Sequence, residues 1–220
     1  MTGKILVILY SFCISLALFS KQNNESDHYN GSKFINIERK TNKRDFSNFL
    51  SWALNSNRPD FNSSVNTFEV HPTNVKQLHN PPDEKIQATW IGHSTLLVQF
   101  EGKNILTDPI FSDRCSPVKW AGPSRYTKTP LSVQDLPRID YVIISHNHYD
   151  HLDLSTIHNL GNIPTYLVPL GLKKWFNKAG ITKVIEMDWW EEYKIDDFTF
   201  VCTPTQHFSG RGLLDRNETP

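Results

Sequence analysis

Apolar positions along the 220 residues fall into three regimes. Residues 5–19, ILVILYSFCISLALF, are almost all apolar; a lone Lys4 precedes them and the polar run KQNNESDHYNGSK follows. That layout predicts a secretory signal or a short N-terminal membrane anchor over 1–20, because the run falls short of the roughly 20 residues that a spanning helix needs. Residues 21–45 carry few large apolar groups and predict a polar tether. Phe46, Phe49, Leu50, Ala53 and Leu54 then recur at helical spacing until Pro59, which predicts a short amphipathic helix whose stripe packs on a domain or touches a membrane. The polar run and the helical stripe together make 21–85 a tether with one helix.

From Ile86 the period changes to that of strands. IQATWI, STLLVQF and NILTD are short β runs, with a turn at Glu101-Gly102, and they predict an antiparallel meander. The Pro- and aromatic-containing stretch from Pro109 to Pro137 has no periodicity and predicts a long loop, which in a compact domain is usually functional. IDYVIIS is a buried-looking strand. Beyond it, DLSTIHNLG reads as a helix closed by Gly161, TYLVP as a strand, LGLKKWFNKAG as a helix closed by Gly180, and KVIEM as a strand. FTFVCTPTQ is a further strand. The order predicts an α/β domain over 86–220.

Composition narrows the chemistry. Basic and acidic side chains balance at 23 each, 38% of residues are hydrophobic and 21% charged, which is the make-up of a folded domain. No Lys/Arg-rich block exists, so the chain lacks the footprint of a nucleic-acid binder and no such partner is expected. Cys13, Cys115 and Cys202 show no CxxC spacing; Cys115 and Cys202 are read as two separate, mostly buried thiols.

Histidine is where the chemistry lies. His146-Asn147-His148-Tyr149-Asp150-His151 follows the strand IDYVIIS directly, and an HxHxDH string would arise by chance in about one chain in a thousand of this composition. Residues two apart on an extended backbone point the same way, so His146 and His148 can converge on one metal while Asp150 and His151 face a second. His207 arrives at the end of FTFVCTPTQ, the same strand-end placement, and is the natural third imidazole. Imidazole and carboxylate together suit zinc, and iron or manganese accept the same donors. His93 and Asp108 lie at strand boundaries, where they can orient ligands or hold a turn. His28, His71, His79 and His158 read as surface residues, and Trp189 and Trp190 as packed aromatics.

HNHYDH, TWIGHSTLLVQF, LTDPIFS and TPTQHFSGR together resemble the metallo-β-lactamase-fold hydrolases and, within them, the N-acyl-phosphatidylethanolamine-hydrolysing phospholipase D subgroup, over residues 86–217. SDRCSPVKWAGPSRYTKTP and DWWEEYKI resemble further stretches of that subgroup; lactonase-like members share less. The resemblance implies an αββα sandwich with a two-metal site at one edge. It implies that His146, His148 and His207 bind the first metal, that Asp150 and His151 bind the second, and that Asp150 is catalytic by positioning the attacking water. In this fold a bridging Asp and a last His follow the third histidine, whereas this sequence stops at Pro220. The expectation is therefore a C-terminally truncated sandwich that holds at most one Zn2+ well instead of two. The implied activity is a zinc-dependent phosphodiesterase on N-acyl phosphatidylethanolamine or another phosphodiester, associated with a membrane and exported to a bacterial periplasm or envelope. The alternatives are an inactive remnant binding at most one metal, or a lactonase-like metallohydrolase.

Overall fold

The computed structural model describes residues 4–5, 26–36, 69–212 and 215–220. The expected amphipathic helix at 46–54, residues 1–3 and 6–20 of the expected leader, and residues 21–25 and 37–68 of the expected tether lie outside the described residues. Nine strands are described: β1 Lys4–Ile5, β2 Gln87–Gly92, β3 Thr95–Phe100, β4 Lys103–Thr107, β5 Tyr141–Ile143, β6 Thr165–Pro169, β7 Val184–Met187, β8 Glu192–Ile195 and β9 Phe198–Val201. The described α-helices are α1 Val75–His79, α2 Leu154–Leu160 and α3 Lys173–Lys178, with one 3-10 turn at Val133–Asp135.

Strands β2 to β7 form one six-stranded sheet in sequence order. The meander β2-β3-β4 is antiparallel, as the alternating runs predict, and β4 to β7 are parallel. At the β3–β4 turn Glu101 and Gly102 both have positive φ, 50° and 70°, the backbone that lets a two-residue hairpin loop follow the twist of its strands. The parallel half needs three crossovers: the loop 108–140 joins β4 to β5, and α2 and α3 supply the other two. Asp153 caps α2 by accepting from Ser155 N–H, and Gly161, with φ 61°, ends it where an L side chain would be strained.

The β4 strand shows why the sheet is a middle layer: Ile105 and Leu106 are adjacent, point to opposite faces and are both fully buried. Leu106 belongs to a core with Leu97, Val142, Ile157, Tyr166 and Phe176 on the helical face. Ile105 belongs to a second core with Tyr141, Leu167, Met187, Phe198 and Phe200, where β8 and β9 cover the other face. Helices, large sheet and small sheet make three layers of the expected αββα sandwich. In the small sheet β1 pairs with β9 in parallel and β9 with β8 antiparallel.

Two features depart from expectation. β8, within DWWEEYKI, is a strand that the hydropathy pattern does not show, because Glu192, Tyr193 and Lys194 are exposed and pairing with β9 alone makes it a strand. Within the polar 21–85 stretch, residues 26–36 fold against the domain, with His28 and Phe34 buried, and α1 buries Leu78.

Candidate metal centre

The site sits where β4, β5 and β9 end. Asp108 follows β4 in a left-handed backbone, φ 36°, and turns its carboxylate towards the end of β5. There it accepts from the Ser145 N–H at 2.7 Å and the Ser145 hydroxyl at 2.8 Å. Because that hydroxyl donates to Asp108, it is left to accept from His146 Nδ1 at 2.9 Å. The His146 proton is thereby fixed on Nδ1, and Nε2 faces its neighbours as a bare lone pair.

That nitrogen lies 2.8 Å from His148 Nδ1, and His148 Nδ1 lies 3.3 Å from His207 Nε2. Two ligands about 2.1 Å from a tetrahedral zinc stand roughly 3.4 Å apart, so this convergence of three imidazoles has the dimensions of a first-metal site. Its electrostatics agree. Burial, reinforced by the neighbouring imidazoles, pushes His146 down to about 3 and His148 down to about 4, and His207 is lowered for the same reasons. At neutral pH all three offer lone pairs to a cation, and the donor set fits zinc.

Asp150, His151 and His93 form a second group of three potential ligands. Asp150 Oδ2 is 3.0 Å from His93 Nε2 and 3.7 Å from His151 Nε2. His151 Nδ1 lies 3.0 Å from the second acceptor it faces, Asp108 Oδ2; a carboxylate only accepts, so the His151 proton sits on Nδ1 and Nε2 is free for a metal. Burial acts to raise the Asp150 carboxyl, but His151 and His93 beside it and a backbone hydrogen bond hold it below the ordinary carboxylate range. It is ionised, as a ligand must be.

The structure thus brings together His146, His148, Asp150, His151 and His207, with Asp108 directly behind Ser145 and His151. His93 stands beside them, its Nε2 facing the Asp150 carboxylate at 3.0 Å, within the second group of potential ligands. It is carried there by a turn with φ 51°, which the Trp90 indole N–H locks by donating to the His93 carbonyl at 2.8 Å.

Two readings of single residues are corrected. His28, expected on the surface, is fully buried, because its Nε2–H donates to Asp188 at 2.6 Å and its ring stacks on Trp189 at 3.7 Å. Trp190, expected to pack, is 56% exposed, since its backbone turns with φ 66° to bond Cys202. Trp189 is half-buried against His28. His158 is exposed on α2 as expected, and Cys115 and Cys202 are separate free thiols with only a minor part of each exposed, also as expected.

Three residues that sequence reasoning passed over organise the loop. Asp153 accepts from Phe111 N–H, Ser112 N–H and the Thr156 hydroxyl, fastening LTDPIFS to α2. Arg211 donates to the carbonyls of Asn147 at 2.9 Å and Leu152 at 2.7 Å, with its guanidinium 3.9 Å over the Tyr149 ring. Asn147 accepts from Gly210 N–H. The signal for Arg211 and Gly210 was their place in TPTQHFSGR, four and three residues after His207.

Residues 103–220 match the family model described as the beta-lactamase superfamily domain, which is more than half of the chain. The chain belongs to the metallo-β-lactamase superfamily. Within this superfamily it is similar to an uncharacterized protein of Mycobacterium tuberculosis, 34% identical over 204 residues, covering 90% of this chain and 54% of that one. It is also 39% identical over 163 residues to N-acyl-phosphatidylethanolamine-hydrolyzing phospholipase D 1 of Caenorhabditis elegans, covering 69% of this chain and 45% of that one. The mitochondrial enzyme of the same description from Saccharomyces cerevisiae is 37% identical over 140 residues, covering 61% and 30%. Among solved structures, Igni18, a metallo hydrolase of Ignicoccus hospitalis, aligns with TM-score 0.43 and 22% identity over 58% of this chain and 52% of that one. The chain spans about half the length of the first two relatives.

Proposed function

We propose that this superfamily member is a metal-dependent phosphodiesterase of the phospholipase D type, acting on N-acyl phosphatidylethanolamine. The observation that carries the reading is the pairing of two three-donor groups around the loop 146–151, which supplies four of the six donors, with His207 and His93 completing one group each. The phospholipase names of two relatives at 39% and 37% identity support the substrate. Cations bound there would supply Lewis acidity towards phosphoryl oxygens and make a water acidic near neutral pH.

The chain's own residues do the rest. His146, His148 and His207 would hold one cation, and Asp150 and His151, with His93 beside them, would hold the other. Asp108 and Ser145 fix the proton positions on His146 and His151, so both rings present Nε2. In the reaction a water oxygen bonds to phosphorus, the P–O bond to the ethanolamine oxygen breaks, and a water proton ends on that leaving oxygen. Asp150 Oδ2 is the acidic-side group suited to hold that proton in passing, and His93 Nε2 at 3.0 Å orients the carboxylate for it.

Membrane association belongs to the same reading. Trp120 is 83% and Tyr126 66% exposed beside Lys119 and Lys128, a combination of aromatics and cations that suits the headgroup region of a bilayer. Export or anchoring through residues 1–20 would bring the site to such a surface. Among the described residues no helix is long and apolar enough to cross a membrane.

The test is release of N-acylethanolamine and phosphatidic acid from the lipid by zinc-reconstituted protein, followed by mass spectrometry. Release abolished by His148→Ala supports the proposal. Metal uptake without release, or hydrolysis of lactones instead, overturns the substrate.

A further inference from the structure

The cleft that opens on His146 and His207 is walled on one side by an N-terminal segment: His28, Phe34, Ile35 and Asn36. This segment is far from the metal residues in sequence, and nothing in the phosphodiesterase reading uses it. Its contacts are specific. The Asn36 amide Nδ2 donates to the carbonyl of His207 at 3.0 Å, which grips the backbone of the third imidazole. Phe34 is buried, and its N–H donates to the Asn217 carbonyl at 2.8 Å. Asn217 N–H in turn donates to the Ser209 carbonyl at 3.0 Å, so segment, C-terminal turn and His207 strand end form one braced unit. His28 anchors the segment through its buried bond to Asp188 and its stack on Trp189.

His207 needs such a brace. It lies six residues beyond the last residue of β9, outside the sheet ladder, and is itself exposed, whereas His146 and His148 ride on a loop held by Asp108, Asn147 and Arg211. Three-point coordination requires all three nitrogens to be held in place before the cation arrives, because ordering a loose ligand subtracts from affinity.

We infer that residues 26–36 are a built-in strap of the metal centre, in which Asn36 is a positioning residue that sets His207 by holding its carbonyl and His28–Asp188 locks the strap in place. The inference rests on the metal-centre reading of His146, His148 and His207, and it goes beyond that reading by making first-site affinity depend on a segment outside the 103–220 family domain.

The experiment uses the full chain. Zinc affinity is measured by competition with a chromophoric chelator for wild type, Asn36→Ala and Asn36→Asp, and the metal-free proteins are compared by melting and by hydrogen exchange over residues 203–209. Asp is nearly isosteric with Asn but cannot donate to a carbonyl, so both variants are expected to lose about 10- to 100-fold in zinc affinity, the usual effect of removing a group behind a ligand. Amides around His207 should exchange faster in both. Asn80→Ala, at the distant end of α1, removes a comparable side-chain-to-backbone bond and should leave zinc affinity unchanged. Unaltered affinity and unaltered exchange in the Asn36 variants overturn the strap, as does a lowered melting temperature with both readouts intact. A wild type that takes up no zinc defeats the metal-centre reading, while faster exchange in Asn36→Ala still decides whether the strap holds His207.

Discussion

His146 and His148 sit in surroundings that refuse protons, and that refusal has a sign. An unfolded imidazole titrates near 6.5, whereas the folded rings are pushed down to about 3 and about 4 by burial and by each other. Above pH 6.5 both are neutral in either state and add no pH dependence. As pH falls below 6.5 the unfolded chain takes up protons that the folded chain declines, so metal-free protein loses stability progressively towards pH 4. Melting of the metal-free chain at pH 7 and pH 5 should show the drop, and His146→Leu should flatten it; equal melting temperatures for wild type would contradict the assignment. Asp108 yields a second test at this scale. Its carboxylate fixes the Ser145 hydroxyl and the His151 proton at once, so Asp108→Asn should weaken metal binding about 10- to 100-fold. Isothermal titration with zinc would reveal it. These residues differed in legibility. HNHYDH is visible because its spacing alone brings donors together on an extended backbone. His28 was not, because its burial depends on Asp188 and Trp189, 160 residues further on, and nothing adjacent to it announces them.

Between elements, the stitching at strand ends matters more than the strands themselves. Arg211 spans from the strand end after β9 to both ends of the histidine loop, and only a planar guanidinium reaches two carbonyls while lying on Tyr149. Arg211→Lys is therefore expected to lower both melting temperature and zinc affinity although it keeps the charge. Unchanged affinity in that variant would show that Asn147 and Gly210 suffice. Between the two sheets, Phe198 packs against Phe100 at 5.0 Å and Tyr141 at 6.1 Å; Phe198→Ala should cost about 3–5 kcal/mol in denaturant unfolding. The meander and the β-α-β-α-β run were readable because each buried face repeats at its own period. β8 escaped because its exposed Glu192, Tyr193 and Lys194 carry no apolar alternation, so only the neighbouring β9 makes it a strand.

For the whole molecule the decisive question is how a site at one edge of the sandwich would meet the bilayer lipid proposed as its substrate. The long loop between β4 and β5, readable in the sequence only as aperiodic, folds back on the site. Its Arg125 donates to the carbonyls of Ile110 and Ser112, and its Nη1 lies 3.3 Å from where a side chain on Gly92, next to His93, would begin. From this rim Trp120 and Tyr126 project into solvent, flanked in sequence by the exposed Lys119 and Lys128. An exposed indole contributes to a bilayer by inserting at the headgroup level, and each nearby lysine adds about 1 kcal/mol of attraction to an anionic surface. If the rim is what meets the membrane, Trp120→Ser together with Lys119→Gln and Lys128→Gln should abolish sedimentation with vesicles containing phosphatidylserine, raise KM on vesicular lipid, and leave turnover of a detergent-dispersed short-chain substrate as it was. Retained vesicle binding by the triple variant would move the docking role to another surface. Loss of activity on both substrate forms would instead mark the loop as part of the site itself.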